Sequence, residues 1–154
     1  LERGAWLDRG LRSFPIATKD GYIYNHEKGY DDDGSALVSS IESSQIDIGD
    51  GDRFSFISRL IPDITFNGST VDNPSVNITI EGRNYPGGNY LQSDTSAVTR
   101  TAVSANTVPF EQWTEKADVR VRGRSFNLSV ASSNEGVRWR LGTPRVDARA
   151  DGRR

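Results

Sequence analysis

From Val119 to Arg149, apolar and polar residues alternate almost without interruption. Val119 and Val121 alternate with Arg120 and Arg122, and Phe126, Leu128 and Val130 enclose Asn127 and Ser129. Val137, Trp139 and Leu141 enclose Arg138 and Arg140, and Val146 and Ala148 alternate with Asp147 and Arg149. A period of two sends successive side chains to opposite faces of an extended backbone, whereas a helix needs its apolar residues three and four apart. The pattern therefore predicts four strands in a row, with one core-facing side and one arginine-lined side. Gly123, the stretch Ser132–Gly136 and Gly142-Thr143-Pro144 separate them as turn formers. An antiparallel meander is the expected arrangement.

The same reading applied upstream finds further strands at Tyr22-Ile23-Tyr24, Leu37 to Ile41, Ile46 to Ile48, Phe54 to Ile61 and Val76 to Ile80. Asp31-Asp32-Asp33-Gly34-Ser35, Gly49-Asp50-Gly51-Asp52, Asn67-Gly68-Ser69 and Tyr85-Pro86-Gly87-Gly88-Asn89 read as the loops between them. Helical evidence is confined to Phe110–Glu115, which follows Pro109 and could make one short turn. Thr95 to Val108 reads as a weakly packed strand or an extended arm. About nine short strands in 154 residues predict an all-β chain, an antiparallel β-sandwich with long loops and little helix. Residues 1–20 lack any period and are expected to be an extended arm anchored by Trp6 and Phe14; residues 21–154 are expected to form the sandwich. With no methionine, the chain is expected to be processed or part of something longer, the arm leading from a missing upstream region. No stretch approaches the ~20 apolar residues of a membrane span, and no signal sequence opens the chain.

The net charge of −2 conceals a division. From Asp20 to Asp63 ten acids face three cations, and from Lys116 to Arg154 ten cations face four acids. Sixteen of the nineteen cations are arginine, whose planar fork favours fixed pairing with carboxylate or phosphate. Acidic and basic strands could simply neighbour one another in a sheet. The alternative is an interface whose basic side is Arg120, Arg122, Arg124, Arg138 and Arg140 and whose acidic side is Asp31, Asp32, Asp33, Asp50 and Asp52. The arginine face could also make transient, sequence-blind contact with nucleic acid phosphates. The interleaved aromatics on which single-strand binders stack bases are missing from that face.

Catalytic material is scarce. One histidine and no cysteine leave little for a nucleophilic triad or a histidine or thiolate metal site. His26 reads as a structural or surface residue. No cofactor is expected. Calcium at Asp31–Asp33 or Asp47–Asp52 is the one cation the sequence offers, against ordinary turn chemistry, and neither loop has EF-hand spacing. Trp6, Tyr85, Tyr90 and Trp113 are loop or arm aromatics that could form a sugar-stacking platform, with core or interface packing as the competing fate.

One set of segments resembles a family. These are Gly21–Gly29 with Asp32-Asp33-Gly34-Ser35; Ile41-Glu42-Ser43-Ser44 leading to Asp47-Ile48 and Asp50–Phe54; and Ile61-Pro62-Asp63-Ile64. Further along come Arg122–Phe126, Trp139–Gly142, Arg145-Val146-Asp147 and Asp151-Gly152-Arg153-Arg154. Together, over nearly the whole chain, they resemble the carboxy-terminal region of tailed-phage virion proteins, most of all the tail tubular or nozzle proteins of short-tailed phages. The resemblance implies a non-enzymatic structural subunit located in the virion tail, forming an oligomeric ring below the portal through which the genome is ejected. Its partners would be other copies of itself, neighbouring tail or head–tail adaptor proteins and, transiently, the genome. It implies no catalytic residue and no membrane span, and it makes Arg154 the end of a longer polypeptide. Two rival readings follow from the residues: a carbohydrate-binding β-sandwich module, and a glycan-degrading tail enzyme with two facing carboxylates.

Overall fold

The computed structural model describes residues 4–10, 12–84 and 105–152. These divide into two units, Leu1–Tyr30 and Asp31–Arg154. The first contains β1 (Ala5–Leu7), β2 (Ile16–Lys19) and β3 (Tyr22–Asn25) in one antiparallel sheet of order β1-β2-β3. Asp20 and Gly21 join β2 to β3 with φ of 51° and 82°. Two successive left-handed residues twist a tight hairpin the way the strands themselves twist, and Asp-Gly is a favoured pair for that turn. The expected boundary at residue 20 falls inside this turn. Ladder pairs from Ile16↔Asn25 to Lys19↔Tyr22 tie the supposed arm to the segment after it, so the unit ends at Tyr30 instead.

The second unit holds β4 (Asp31–Asp32), β5 (Ser35–Ala36), β6 (Ser39–Glu42), β7 (Ile46–Asp47), β8 (Ser55–Ile61), β9 (Ile64–Thr65), β10 (Ser75–Arg83), β11 (Ala105–Glu111), β12 (Ala117–Gly123), β13 (Ser125–Ser132), β14 (Arg140–Leu141) and β15 (Arg145–Ala150). The larger sheet runs β11-β10-β13-β6, with β7 also paired to β13; the smaller runs β12-β8-β15. Their inner faces share one core. Val76, Ile78 and Ile80 of β10, Phe110 of β11 and Phe126 and Val130 of β13 meet Ile57 and Leu60 of β8 and Val119 and Val121 of β12. This is the expected all-β antiparallel sandwich, and no helix occurs among the described residues.

The predicted meander is not what connects the strands. β12 pairs with β8, β13 with β10 and β6, β14 with β9, and β15 with β8. Consecutive strands β12 and β13 lie in different sheets because the chain crosses over at Gly123-Arg124. A Cβ on Gly82 would lie 2.6 Å from the Arg122 carbonyl oxygen, and one on Gly123 would lie 3.0 Å from Gly82 Cα. Two side-chain-free residues therefore let the β10 and β12 backbones touch where the sheets join. The Arg124 amide donates to the Arg83 carbonyl at 2.7 Å and fastens the crossing.

Two further expectations are corrected. Phe110–Glu115 is not a helical turn: Phe110 is a core residue of strand β11. Beyond it a β-turn is closed by the Thr114 amide on the Glu111 carbonyl at 3.1 Å. Pro109 is tolerated because β11 is an edge strand, where a missing amide need not break a second ladder. The strand expected over Val137–Leu141 shrinks to Arg140-Leu141. Val137 and Trp139 still pack against the core, and the Trp139 indole donates to Ser39 Oγ at 2.9 Å. The Tyr85–Asn89 loop and the start of the Thr95–Val108 segment lie outside the described residues.

Candidate assembly surfaces

The outer face of the smaller sheet is organised in rows set by strand register. Arg122 stands opposite Phe56, which stands opposite Arg149. Asp118 stands opposite Arg59, which stands opposite Asp147. Arg59 reaches both carboxylates, at 3.6 Å to Asp118 and 3.4 Å to Asp147. Arg122 Nε lies 2.5 Å from Asp151 Oδ2. The arginine strands thus find acids inside their own sheet, so for Arg59 and Arg122 the simpler reading, oppositely charged neighbours in one sheet, holds. These pairs are exposed, and Asp118 has 82% of its side-chain surface open, so each is worth only about 0.2–1 kcal/mol. Arg59→Met is therefore expected to lower stability by less than about 1 kcal/mol, an effect that fades as salt rises. Urea denaturation at low and high salt checks this, and a large salt-independent loss would contradict it.

The five predicted basic residues do not project from one sheet. Arg120 and Arg122 belong to β12 and Arg124 follows it, but Arg138 and Arg140 sit with the β9–β14 pair. Arg138 is held by Ser69, whose Oγ accepts from its amide at 3.0 Å, and its guanidinium donates to the Asn67 carbonyl at 3.5 Å. The split follows from β14 pairing with β9, where the meander had placed it in one sheet with β12.

Two aromatics from far upstream reach this face, Phe56 on β8 and Phe54 just before it. The Arg122 and Arg124 guanidinium carbons lie 3.9 Å and 5.0 Å from the Phe54 ring centroid, and that of Arg149 lies 5.1 Å from Phe56. Such contacts hold an arginine flat against a ring. Phe54 is itself buried, so it supports arginines and offers no open surface for a base. No periodicity within the arginine segment could reveal these residues, because they lie more than sixty positions upstream.

The acidic residues are built into turns. Asp33 and Gly34 join β4 to β5 with φ of 52° and 81°, a second Asp-Gly hairpin turn. Asp31 Oδ1 accepts from the Gly136 amide, which anchors the hairpin. Asp50 and Asp52 are exposed on the loop after β7, where Gly49 and Gly51 have φ of 76° and 71°. Among the described residues no group of three or more His, Cys, Asp or Glu side chains converges to hold a metal ion.

An apolar margin that the sequence did not single out lies beside these loops. Ile41 pairs with Val130 and Ile46 with Phe126, so both share the core-facing side of the larger sheet. They nevertheless remain 51% and 48% exposed, because the three strands of the smaller sheet leave this edge uncovered. Leu37 and Val38, just before β6, are open as well. On the smaller sheet Val146 pairs with buried Leu60, yet it too is exposed.

Of the expected arm anchors, Trp6 is on β1 and half exposed. Phe14 lies under Arg12 and Lys28, whose charged groups are 5.9 Å and 5.3 Å from its ring centre. Arg9 pairs with Glu27 at 2.5 Å. The hydrogen bond and then the charge of Glu27 hold the Arg9 guanidinium above its ordinary pKa. No helix among the described residues is long and apolar enough to cross a membrane. No family model matches the chain, and neither does any curated protein or solved structure.

Proposed function

We propose that this chain is a structural, non-enzymatic subunit of a phage tail, part of a nozzle or tube that assembles as a ring below the portal and conducts the genome. The observation that carries the reading is the uncovered apolar margin Leu37, Val38, Ile41 and Ile46. An exposed strip of this kind marks a place where another protein packs. Ring closure needs two different surfaces that fit one another head to tail. The apolar margin with the acidic loops Asp31–Asp33 and Asp47–Asp52 is one such surface. The outer face of the smaller sheet, with Arg120, Arg145 and Arg149, is the other. The resemblance of several segments to tail tubular and nozzle proteins is the ground for naming the assembly, for neighbouring tail or adaptor proteins as further partners, and for the virion as location.

Native mass spectrometry and negative-stain microscopy of the purified chain test the proposal. The expected result is a closed oligomer that Ile41→Glu combined with Ile46→Glu converts to monomer while the far-ultraviolet circular dichroism stays unchanged. A chain that remains monomeric at high concentration, or a variant that assembles like the parent, would sink the proposal.

A further inference from the structure

The three-stranded sheet of the first unit has two unlike faces. Cross-strand partners share a face, and residues two apart on one strand share it as well. Leu7 pairs with Ile16, and Thr18 with Ile23, giving an aliphatic side. The other side carries rings. Trp6 pairs with Ala17 and Ala17 with Tyr24. Tyr22 lies two positions before Tyr24 and His26 two positions after it, and the His26 amide continues the ladder by donating to the Pro15 carbonyl at 2.8 Å. The Trp6 and His26 ring centres are 4.8 Å apart. Three rings thus line β3 and its continuation, and Trp6 joins them on the same face from β1. Ala17 lies at the floor of this strip, only 2% exposed, since a small central residue lets the flanking rings lean over it. Tyr22 and Trp6 are 69% and 55% exposed.

We propose that this strip is a binding site for a neutral glycan, a chain of pyranose sugars whose C–H faces stack on Tyr22, Tyr24 and Trp6. Tyr22 and Tyr24 are spaced by ~6.7 Å along the strand, in line and on one face, as successive sugars of an extended chain require. Phenol hydroxyls, the indole N–H and the Lys19 ammonium beside Tyr22 are donors and acceptors suited to sugar hydroxyls. His26 contributes its ring to the strip beside Trp6. Charge selects the ligand class. Arg9 is bound to Glu27, and Arg12 and Lys28 lie over Phe14. Of the described cations of this unit, Lys19 alone is placed on the ring face by register. A nucleic acid needs several phosphate-neutralising cations along its path, and this face does not supply them. Of the aromatics Trp6, Tyr85, Tyr90 and Trp113, Trp6 belongs to this strip; Tyr85 and Tyr90 lie outside the described residues. The site is independent of ring assembly.

The test is calorimetric titration of the full chain with cellohexaose, maltohexaose and laminarihexaose, with a thymidine oligonucleotide as the competing class. Fluorescence in a background carrying both Trp113→Phe and Trp139→Phe follows Trp6, the third of the three tryptophans. The expected result is saturable binding of at least one hexasaccharide that is insensitive to salt. Tyr22→Ala should weaken it by roughly tenfold, as loss of one stacked ring predicts. Tyr22→Phe should restore most of it, and Ile23→Ala on the opposite face should leave it unchanged. Both tyrosine changes are at an exposed position, so the fold is not at risk. The proposal is overturned if no hexasaccharide binds at millimolar concentration, if Ile23→Ala is as damaging as Tyr22→Ala, or if only the oligonucleotide binds.

Discussion

Gly82→Ala is expected to destabilise the second unit by about 3 kcal/mol, the upper end of what overpacking costs. The added methyl would lie 2.6 Å from the Arg122 carbonyl oxygen and 3.1 Å from its carbon. Those are backbone atoms and cannot rotate away, so β10 and β12 must separate where the sheets cross. Separation would also stretch the bond from the Arg124 amide to the Arg83 carbonyl, the fastening at that corner. Thermal unfolding of the variant should fall by roughly 10 °C. Gly123→Ala attacks the same crossing from the other strand, with Arg83 N and O and Gly82 Cα each 3.0 Å from the new methyl. Once one methyl has forced the strands apart, a second finds the space already opened. The double variant should therefore lose clearly less than the two single losses together. Additive losses, or a Gly82→Ala midpoint equal to that of the parent, would show that the crossing is not tight.

Phe110→Ala is the second large effect, expected at about 3–5 kcal/mol. Phe110 is 1% exposed and packs in the common core from β11, a strand that among the described residues pairs only with β10. Removing the ring leaves a cavity and also takes away much of what holds an edge strand in place. If β11 detaches before the rest unfolds, the urea m-value should drop along with the midpoint, because less surface remains to be exposed in the main transition. Trp113→Ala is the control. Trp113 is the larger residue but is 81% exposed in the turn after β11, so its loss should be within ~0.5 kcal/mol. Equal effects from the two substitutions would mean that β11 is not part of the core.

The contrast between Phe110 and Trp113 shows what the sequence could and could not reveal. Pro109 followed by Phe110 resembles a helix start, and only the knowledge that β11 is an edge strand makes proline compatible with a ladder there. Alternation told which side chains of β12 and β13 face inward: Val119, Val121, Phe126 and Val130 are all buried. It could not tell which strand lies beside which, because a period of two fixes the face and carries no information about the neighbour. The predicted arginine patch failed for that reason. Arg140 belongs to a strand paired with Thr65 and Ile64 and not to the sheet of Arg120. Arg59, counted among the acids by position, turns out to sit between Asp118 and Asp147. Ile41 and Ile46 read as ordinary inward residues, and their exposure depends on how far the opposite sheet extends. The ring strip was half legible: Tyr22, Tyr24 and His26 are spaced two apart in sequence, but Trp6 joins them only through the β1–β2–β3 register.

The pairing of β8 also bears on when the molecule can form. Both of its neighbours come from far down the chain: β12 begins at Ala117 and β15 at Arg145. No hairpin can begin the smaller sheet, so each of its ladders must close a loop of more than fifty residues before any contact compensates the lost chain entropy. Chains dominated by such distant pairings fold on the slower millisecond-to-second scale. During synthesis one edge of β8 stays open until β12 has been made, and its second edge stays open until residues 145–150 have followed. The last stretch of the described chain is therefore what closes the sheet that the middle of the chain begins.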